Sequence, residues 1–172
     1  ANIHLASVRA GNVIGGGDWA TDRLIPDFLR SLDEGETLTI RSPNAIRPWQ
    51  HVLEPLSGYL LLAEKLYSEG SAYAEAWNFG PNDDDAKSVS WIVNQLCASA
   101  PGTKWQIEDT QQSHEAGSLK LDSSKAKAKL GWAPRWDLET ALNRTIVWYQ
   151  AWREKEDVAA VTSAQIRAYT DS

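Results

Sequence analysis

Short apolar runs alternate along this chain with segments whose apolar residues recur at helical spacing, a pattern that limits it to a layered α/β fold. Residues 3–9 predict a strand, and the first eight residues read as buried. Residues 23–34 predict a helix, with Leu24, Ile25, Phe28, Leu29 and Leu32 on one face, Pro26 in the first turn and Gly35 ending it. A short strand follows over 37–41, then a helix over 54–68 with a stripe of Leu56, Tyr59, Leu60, Ala63 and Leu66. The strand over 76–79 stops at Gly80-Pro81. Val89, Ile92, Val93, Leu96 and Cys97 set a helix over 88–99, and 105–108 is another short strand. Asp122 caps a helix that stops at Gly131, and Asp137 caps a longer one through Trp152. Residues 154–172 are polar and are expected to form a loosely attached tail helix, apart from the body over 1–153.

Composition excludes several function classes. The net charge of −6 argues against nucleic acid or an anionic membrane as partner. No apolar run approaches the roughly 20 residues of a membrane span, and a cytoplasmic protein is expected. Cys97 is the lone cysteine, so an internal disulfide and a cysteine-ligated metal site are both excluded. Three scattered histidines give no zinc pattern, and no metal is expected. Nine tryptophans are unusual for 172 residues; most should pack a core, and a few could line a pocket.

The sharpest motif runs from Arg9 to Asp18. Its Gly15-Gly16-Gly17-Asp18-Trp19-Ala20 matches the dinucleotide pattern G-x-G-x-x-A between a strand and a helix. The chemistry disagrees. Backbone N–H groups must press against a pyrophosphate there, yet Asp18 sets a like charge beside that anion and Trp19 adds bulk. The acid expected after the next strand is Arg41 instead. A glycine turn at a strand end is the simpler account, and strand ends are where α/β proteins bind ligands.

Several stretches occur in a telling order: Arg9-x-x-Asn12-Val-Ile-Gly15, Asp22-Arg-Leu-Ile-Pro26, Ile46-Arg-Pro-Trp-Gln-His-Val52, Trp77-Asn-Phe-Gly-Pro81, His114-Glu-Ala, Leu119-Lys-Leu-Asp122 and Leu130-Gly-Trp-x-Pro134. Together they resemble the C-terminal half of the extended short-chain dehydrogenase/reductases that act on nucleotide sugars. The Gly-Gly-Gly-Asp-Trp run and Arg-Pro-Trp-Gln-His-Val point to the branch of 4,6-dehydratases that takes CDP-glucose. The resemblance implies a small α/β nucleotide-sugar domain plus the remaining strands of an NAD-domain sheet. It implies that NAD is bound mainly by an N-terminal part absent here, and that the Tyr-x-x-x-Lys pair and the acid/base residues lie there too. No tyrosine of this chain has a lysine four residues later. The implied reaction oxidises sugar C4, eliminates water across C5 and C6, and returns hydride to C6, giving a CDP-4-keto-6-deoxyglucose precursor of bacterial surface deoxysugars. Other nucleotide-sugar epimerases or dehydratases, and a non-enzymatic sugar-nucleotide-binding module, are the alternatives.

Six residues are candidates for substrate. Asn12, past a strand end, can donate its amide to an anionic oxygen, or stabilise its own turn. Arg47 has the guanidinium fork that suits a pyrophosphate, and its family counterpart plays that part. Arg23 adds a cation at a helix start, where phosphate is favoured. Arg41 ends a strand by the position that the resemblance gives to the nucleotide base. Asn78 lies in an apolar strand and must be satisfied, by structure or by phosphate and ribose. His114, beside Glu115, occupies the loop that the resemblance places over the nucleotide, although Gly117 and Ser118 are smaller than that branch commonly carries. His51 and Trp49 are expected to pack beneath Arg47, with no catalytic part for His51. Gly11 is the one candidate for cofactor contact. Without upstream strands, 3–9 and 77–79 should have unpaired edges, with Val8, Ile14 and Trp77 exposed, so the chain should associate with its missing half or with itself.

Overall fold

The computed structural model describes residues 3–100, 102–108 and 117–172. The strands and helices that the sequence predicts are present, and three unpredicted strands, over 12–14, 46–51 and 86–88, join them. The strands are β1 (Ser7–Ala10), β2 (Asn12–Ile14), β3 (Thr37–Ile40), β4 (Ile46–His51), β5 (Ala76–Phe79), β6 (Ala86–Ser88) and β7 (Lys104–Ile107). The helices are α1 (Leu24–Glu34), α2 (Leu53–Glu69), α3 (Val89–Ser99), α4 (Ser124–Leu130), α5 (Leu138–Arg153) and α6 (Val158–Thr170). β1 pairs with β5 and β3 with β7, both in parallel. β4 lies between β2, parallel to it, and β6, antiparallel to it. No helix among the described residues is long and apolar enough to cross a membrane.

Two cores form. In the larger, Phe28 of α1, Leu38 of β3, Ile92 of α3 and Ala141 of α5 meet, all nearly or fully buried. Each large apolar side chain hidden this way contributes about 1.5–3 kcal/mol. The smaller gathers Leu62, Trp77, Phe79, Ala126, Leu130 and Trp132 between α2, β5 and α4. Capping follows the sequence: Asp137 accepts a bond from Thr140 N at 2.8 Å at the start of α5. Asp122 accepts one from Ser124 N at 2.8 Å, although Ser123 holds the cap position of α4.

The structure corrects four expectations. The first strand begins at Ser7, and Ile3 and Leu5 before it are exposed rather than buried. Trp77 and Ile14 are buried, not exposed; Trp77 stacks on Tyr73 at 5.8 Å and donates its Nε1–H to the Tyr73 carbonyl. Val8 is exposed as expected. The buried face of α2 is Glu54, Pro55, Gly58 and Leu62, so Leu56 and Leu60 of the expected stripe point outward. The tail helix, α6, is anchored. Its buried Tyr169 donates to Glu54 Oε2 at 2.7 Å, and its buried Gln165 donates to the Arg144 carbonyl at 2.9 Å.

Glu54 explains that anchoring. Its fully buried carboxylate also accepts the backbone N–H groups of Arg135 and Trp136, at 3.1 and 2.8 Å. It thereby ties the start of α2 to the segment entering α5 and to α6. Burial raises its pKa, against the pull of those donors.

Candidate functional site

A cavity of about 490 Å³ opens beside β2, within the range of small-molecule sites. Its floor is the edge of the β2–β4 pair. Asn12 is in register with Trp49, and Ile14 with His51, so these four side chains share one sheet face. Asn12, Ile14 and Trp49 line the cavity. The turn 15–19 forms one wall, the start of α1 a second, and Thr145, Trp148 and Tyr149 of α5 the third.

Local packing shapes the turn. A Cβ built on Gly16 would lie 2.1 Å from the Trp148 ring, so the turn can sit there only because that residue has no side chain. Trp148 in turn donates its Nε1–H to Thr162 Oγ1 of α6 at 2.9 Å. Trp19 packs on Trp152 with ring centroids 4.4 Å apart, closing the outer side. Tyr149 donates to the Leu29 carbonyl at 3.1 Å, which joins α5 to α1. Burial raises the Tyr149 pKa, with Asp33 adding to the effect.

The sequence candidates divide. Asn12 and Arg23 line the cavity; Arg23, 64% exposed, pairs with Asp18 at 3.2 Å. Gly11 lines it too, and a Cβ there would meet the Pro48 carbonyl at 2.2 Å, so close strand packing accounts for this glycine. Arg47 lies two positions before Trp49 on β4, on the same sheet face, but outside the cavity lining; its Nη1–H reaches the Ile46 carbonyl at 2.9 Å. Arg41 bridges Asp22 and Glu108 at 3.3 and 3.4 Å. Asn78 belongs to the β1–β5 pair and donates to the Asp122 carbonyl at 3.1 Å. His114 and Glu115 lie outside the described residues.

The described residues do not build an NAD pyrophosphate turn. Helix α1 starts only at Leu24, Trp148 occupies the space over Gly16, and Asp18 faces the same cavity. Sequence reasoning missed Thr145, Trp148 and Tyr149. Their i, i+3, i+4 spacing marks one helix face, but nothing local says that the face borders a cavity. Trp49 was expected only as packing, yet among the described residues its buried Nε1 has no hydrogen-bond partner, nor has His51 Nε2. Burial, with Arg144 nearby, lowers the His51 pKa to about 4, so the ring is neutral at pH 7.

Over 168 residues the chain is 52% identical to CDP-glucose 4,6-dehydratase of Salmonella typhimurium, covering 97% of this chain and 47% of that protein. Similarity to that enzyme thus runs along nearly the whole of this chain. No protein-family model matches it. The fold agrees with that similarity. UDP-glucuronic acid 4-epimerase from Bacillus cereus, solved with UDP-glucuronic acid and NAD, superposes with a TM-score of 0.74 at 18% identity, over 87% of this chain and 46% of that one. dTDP-glucose 4,6-dehydratase from Bacillus anthracis, solved with NAD, gives 0.67 at 21% identity, over 88% and 46%. The chain spans about half the length of the curated relatives it matches, and the match to the Salmonella enzyme is to its C-terminal half.

Proposed function

We propose that this chain is the nucleotide-sugar-binding portion of a CDP-glucose 4,6-dehydratase, which converts CDP-glucose to CDP-4-keto-6-deoxyglucose and water. The identity of 52% across nearly the whole chain carries this conclusion. The cavity supports it, with Asn12 at its floor and Arg23 at its rim. In this function the chain binds and orients substrate, and Arg47, on the same sheet face as Asn12, holds the diphosphate. NAD is held mainly by the N-terminal half of the enzyme, consistent with the poor fit of the glycine turn to a pyrophosphate.

That half docks at β1. Among the described strands, β1 pairs with β5 alone, whereas parallel sheets are normally extended and covered on both faces. The apolar row of Trp77 and Phe79 continues onto Val8, yet Val8 is 43% exposed while Trp77 is 1% exposed.

Thermal unfolding tests the nucleotide. CDP-glucose should protect the chain more than dTDP-glucose or UDP-glucose at equal concentration. Greater protection by dTDP- or UDP-glucose would reassign it to another member of the family. The chain alone should not turn over CDP-glucose, and turnover by the purified chain would place the acid/base residues here. Arg47→Ala should weaken CDP-glucose binding by about 1.5–3 kcal/mol, the scale of a charge-assisted bond, measured by calorimetric titration of the folded variant.

A further inference from the structure

Buried polar groups in folded proteins almost always have a hydrogen-bond partner, and one without needs an explanation. Among the described residues, strand β4 carries two such donors in one row. Trp49 is 7% exposed, lines the cavity, and has an unpartnered Nε1–H. His51 is 2% exposed; its Nδ1 accepts from Leu53 N at 3.3 Å, so in the neutral ring the proton sits on Nε2, which has no partner. Being two positions apart on one strand, both side chains face the same side. A Cβ built on Gly15, a residue of the cavity wall, would lie 3.9 Å from His51 Nε2.

The floor therefore carries the Trp49 donor, with the His51 donor behind it, next to Gly15 and outside the lining itself. Asn12, in register with Trp49, adds an amide to the row. Thr145 at the back offers no hydrogen, since its hydroxyl already donates to the Ala141 carbonyl at 2.8 Å. Charge separates the floor from the rim. Asp18, Asp22 and Arg23 line the cavity, and Arg23 is already paired with Asp18. Asp22 is likewise paired, with Arg41, so the lining has no cation left over for an anion deep inside. It favours a neutral oxygen acceptor.

We propose that Trp49 is a specificity residue whose indole N–H, seconded by His51 Nε2–H, receives a hydroxyl or carbonyl oxygen of the sugar, with the charged diphosphate left toward the rim. This rests on the proposed function and names the part of the substrate that the floor reads. The unpartnered donors then have a physical reason. They leave a small cost in the empty protein that the ligand relieves on binding, so the site selects a ligand with oxygen at that point over one with a methylene or nothing there.

The test uses the 172-residue chain with ¹⁵N-labelled indoles. Trp49→Phe assigns the Trp49 resonance and removes the N–H while keeping an aromatic ring. CDP-glucose should shift the Trp49 indole signal saturably, and Trp49→Phe should weaken its binding about 3- to 10-fold, one neutral hydrogen bond. CDP, lacking the sugar, should bind both forms equally. A thermal midpoint for Trp49→Phe equal to or above that of the parent shows that the variant is folded and that the N–H was unsatisfied without ligand. His51→Phe should weaken CDP-glucose in the same direction, giving a second reading if Trp49→Phe repacks. Tight CDP-glucose binding with the Trp49 signal unmoved and both variants unaffected overturns the inference alone. An equal loss for CDP and CDP-glucose overturns the sugar assignment. No saturable binding of any nucleotide sugar by the parent chain overturns the proposed function, and this inference with it.

Discussion

Two parallel strand pairs in this molecule differ in how they meet water. In β3–β7 one row is polar and the other is largely covered, open only at its end, where Ile107 is exposed. Thr37, Lys104, Thr39 and Gln106 form one row, with Gln106 donating to Thr39 Oγ1 at 3.2 Å, while Leu38 and Ile40 of the other row are buried. In β1–β5 the apolar row crosses the pair but its cover does not. Trp77 and Phe79 lie under α2 and α4, whereas Val8 is open, Ile3 and Leu5 ahead of it are exposed, and Leu56 and Leu60 of α2 face outward. A two-stranded parallel sheet is thus no sign of incompleteness by itself; the chemistry of the uncovered row is. Polar residues need no partner there, and apolar ones do.

Glu54 decides whether the two regions unfold together, since it links α2 of the smaller core to α5 and α6. Glu54→Ala should have the largest effect, about 3–5 kcal/mol, because it strands three buried or half-buried donors. Urea unfolding should then lose its single transition and separate into two. A single transition with an unchanged midpoint would show that the linkage carries no weight.

His51 sharpens the same comparison through pH. Its folded pKa of about 4 lies below the ordinary 6.5, so the folded state resists the proton that the unfolded chain takes up. Its contribution is complete above pH 6.5 and is lost as pH falls toward 4, on the order of 3 kcal/mol. Glu54 runs oppositely. Its raised pKa favours the folded state below its unfolded value, and that contribution is lost as pH rises through the folded one. The difference in unfolding free energy between the parent and His51→Phe isolates the histidine, and it should grow steadily between pH 4 and 6.5. A flat difference would count against a neutral buried ring.

Smaller effects follow at the cavity wall and at the open strand. Gly16→Ala should cost about 1–3 kcal/mol by overpacking against Trp148 and should weaken CDP-glucose, read by thermal unfolding with and without ligand. Val8→Lys should change stability by less than about 0.5 kcal/mol, as surface substitutions do. It should nevertheless reduce the self-association of the chain at micromolar concentration in sedimentation, because a charged edge resists pairing. A monomeric parent chain would break the contrast between the two strand pairs.

The helices were the legible part of this fold, since propensity, caps and periodicity agree over 24–34, 89–99 and 138–153. The strand β4 was not legible: Pro48 and the aromatic residues around it suggest a turn, and only pairing on both sides makes it a strand. The face of α2 misled because its inward side uses Glu54 and Gly58, residues that no hydrophobic stripe selects. Of the site, Asn12 and Arg23 could be found from their positions at a strand end and a helix start. Trp148 and Thr145 could not, because the cavity exists only once α5 packs across β2 and β4.

The contact between Gly16 and Trp148 also bears on how such a chain can change over generations. A side chain at position 16 has no room while an indole stands at 148, and a small residue at 148 would leave a void behind the turn. Neither position can drift alone without loss, so substitutions there should be inherited as compensated pairs. Thr162, which receives the indole N–H from a third segment, extends that dependence into α6. Position 16 and the distant pair 148 and 162 are therefore expected to vary as one character.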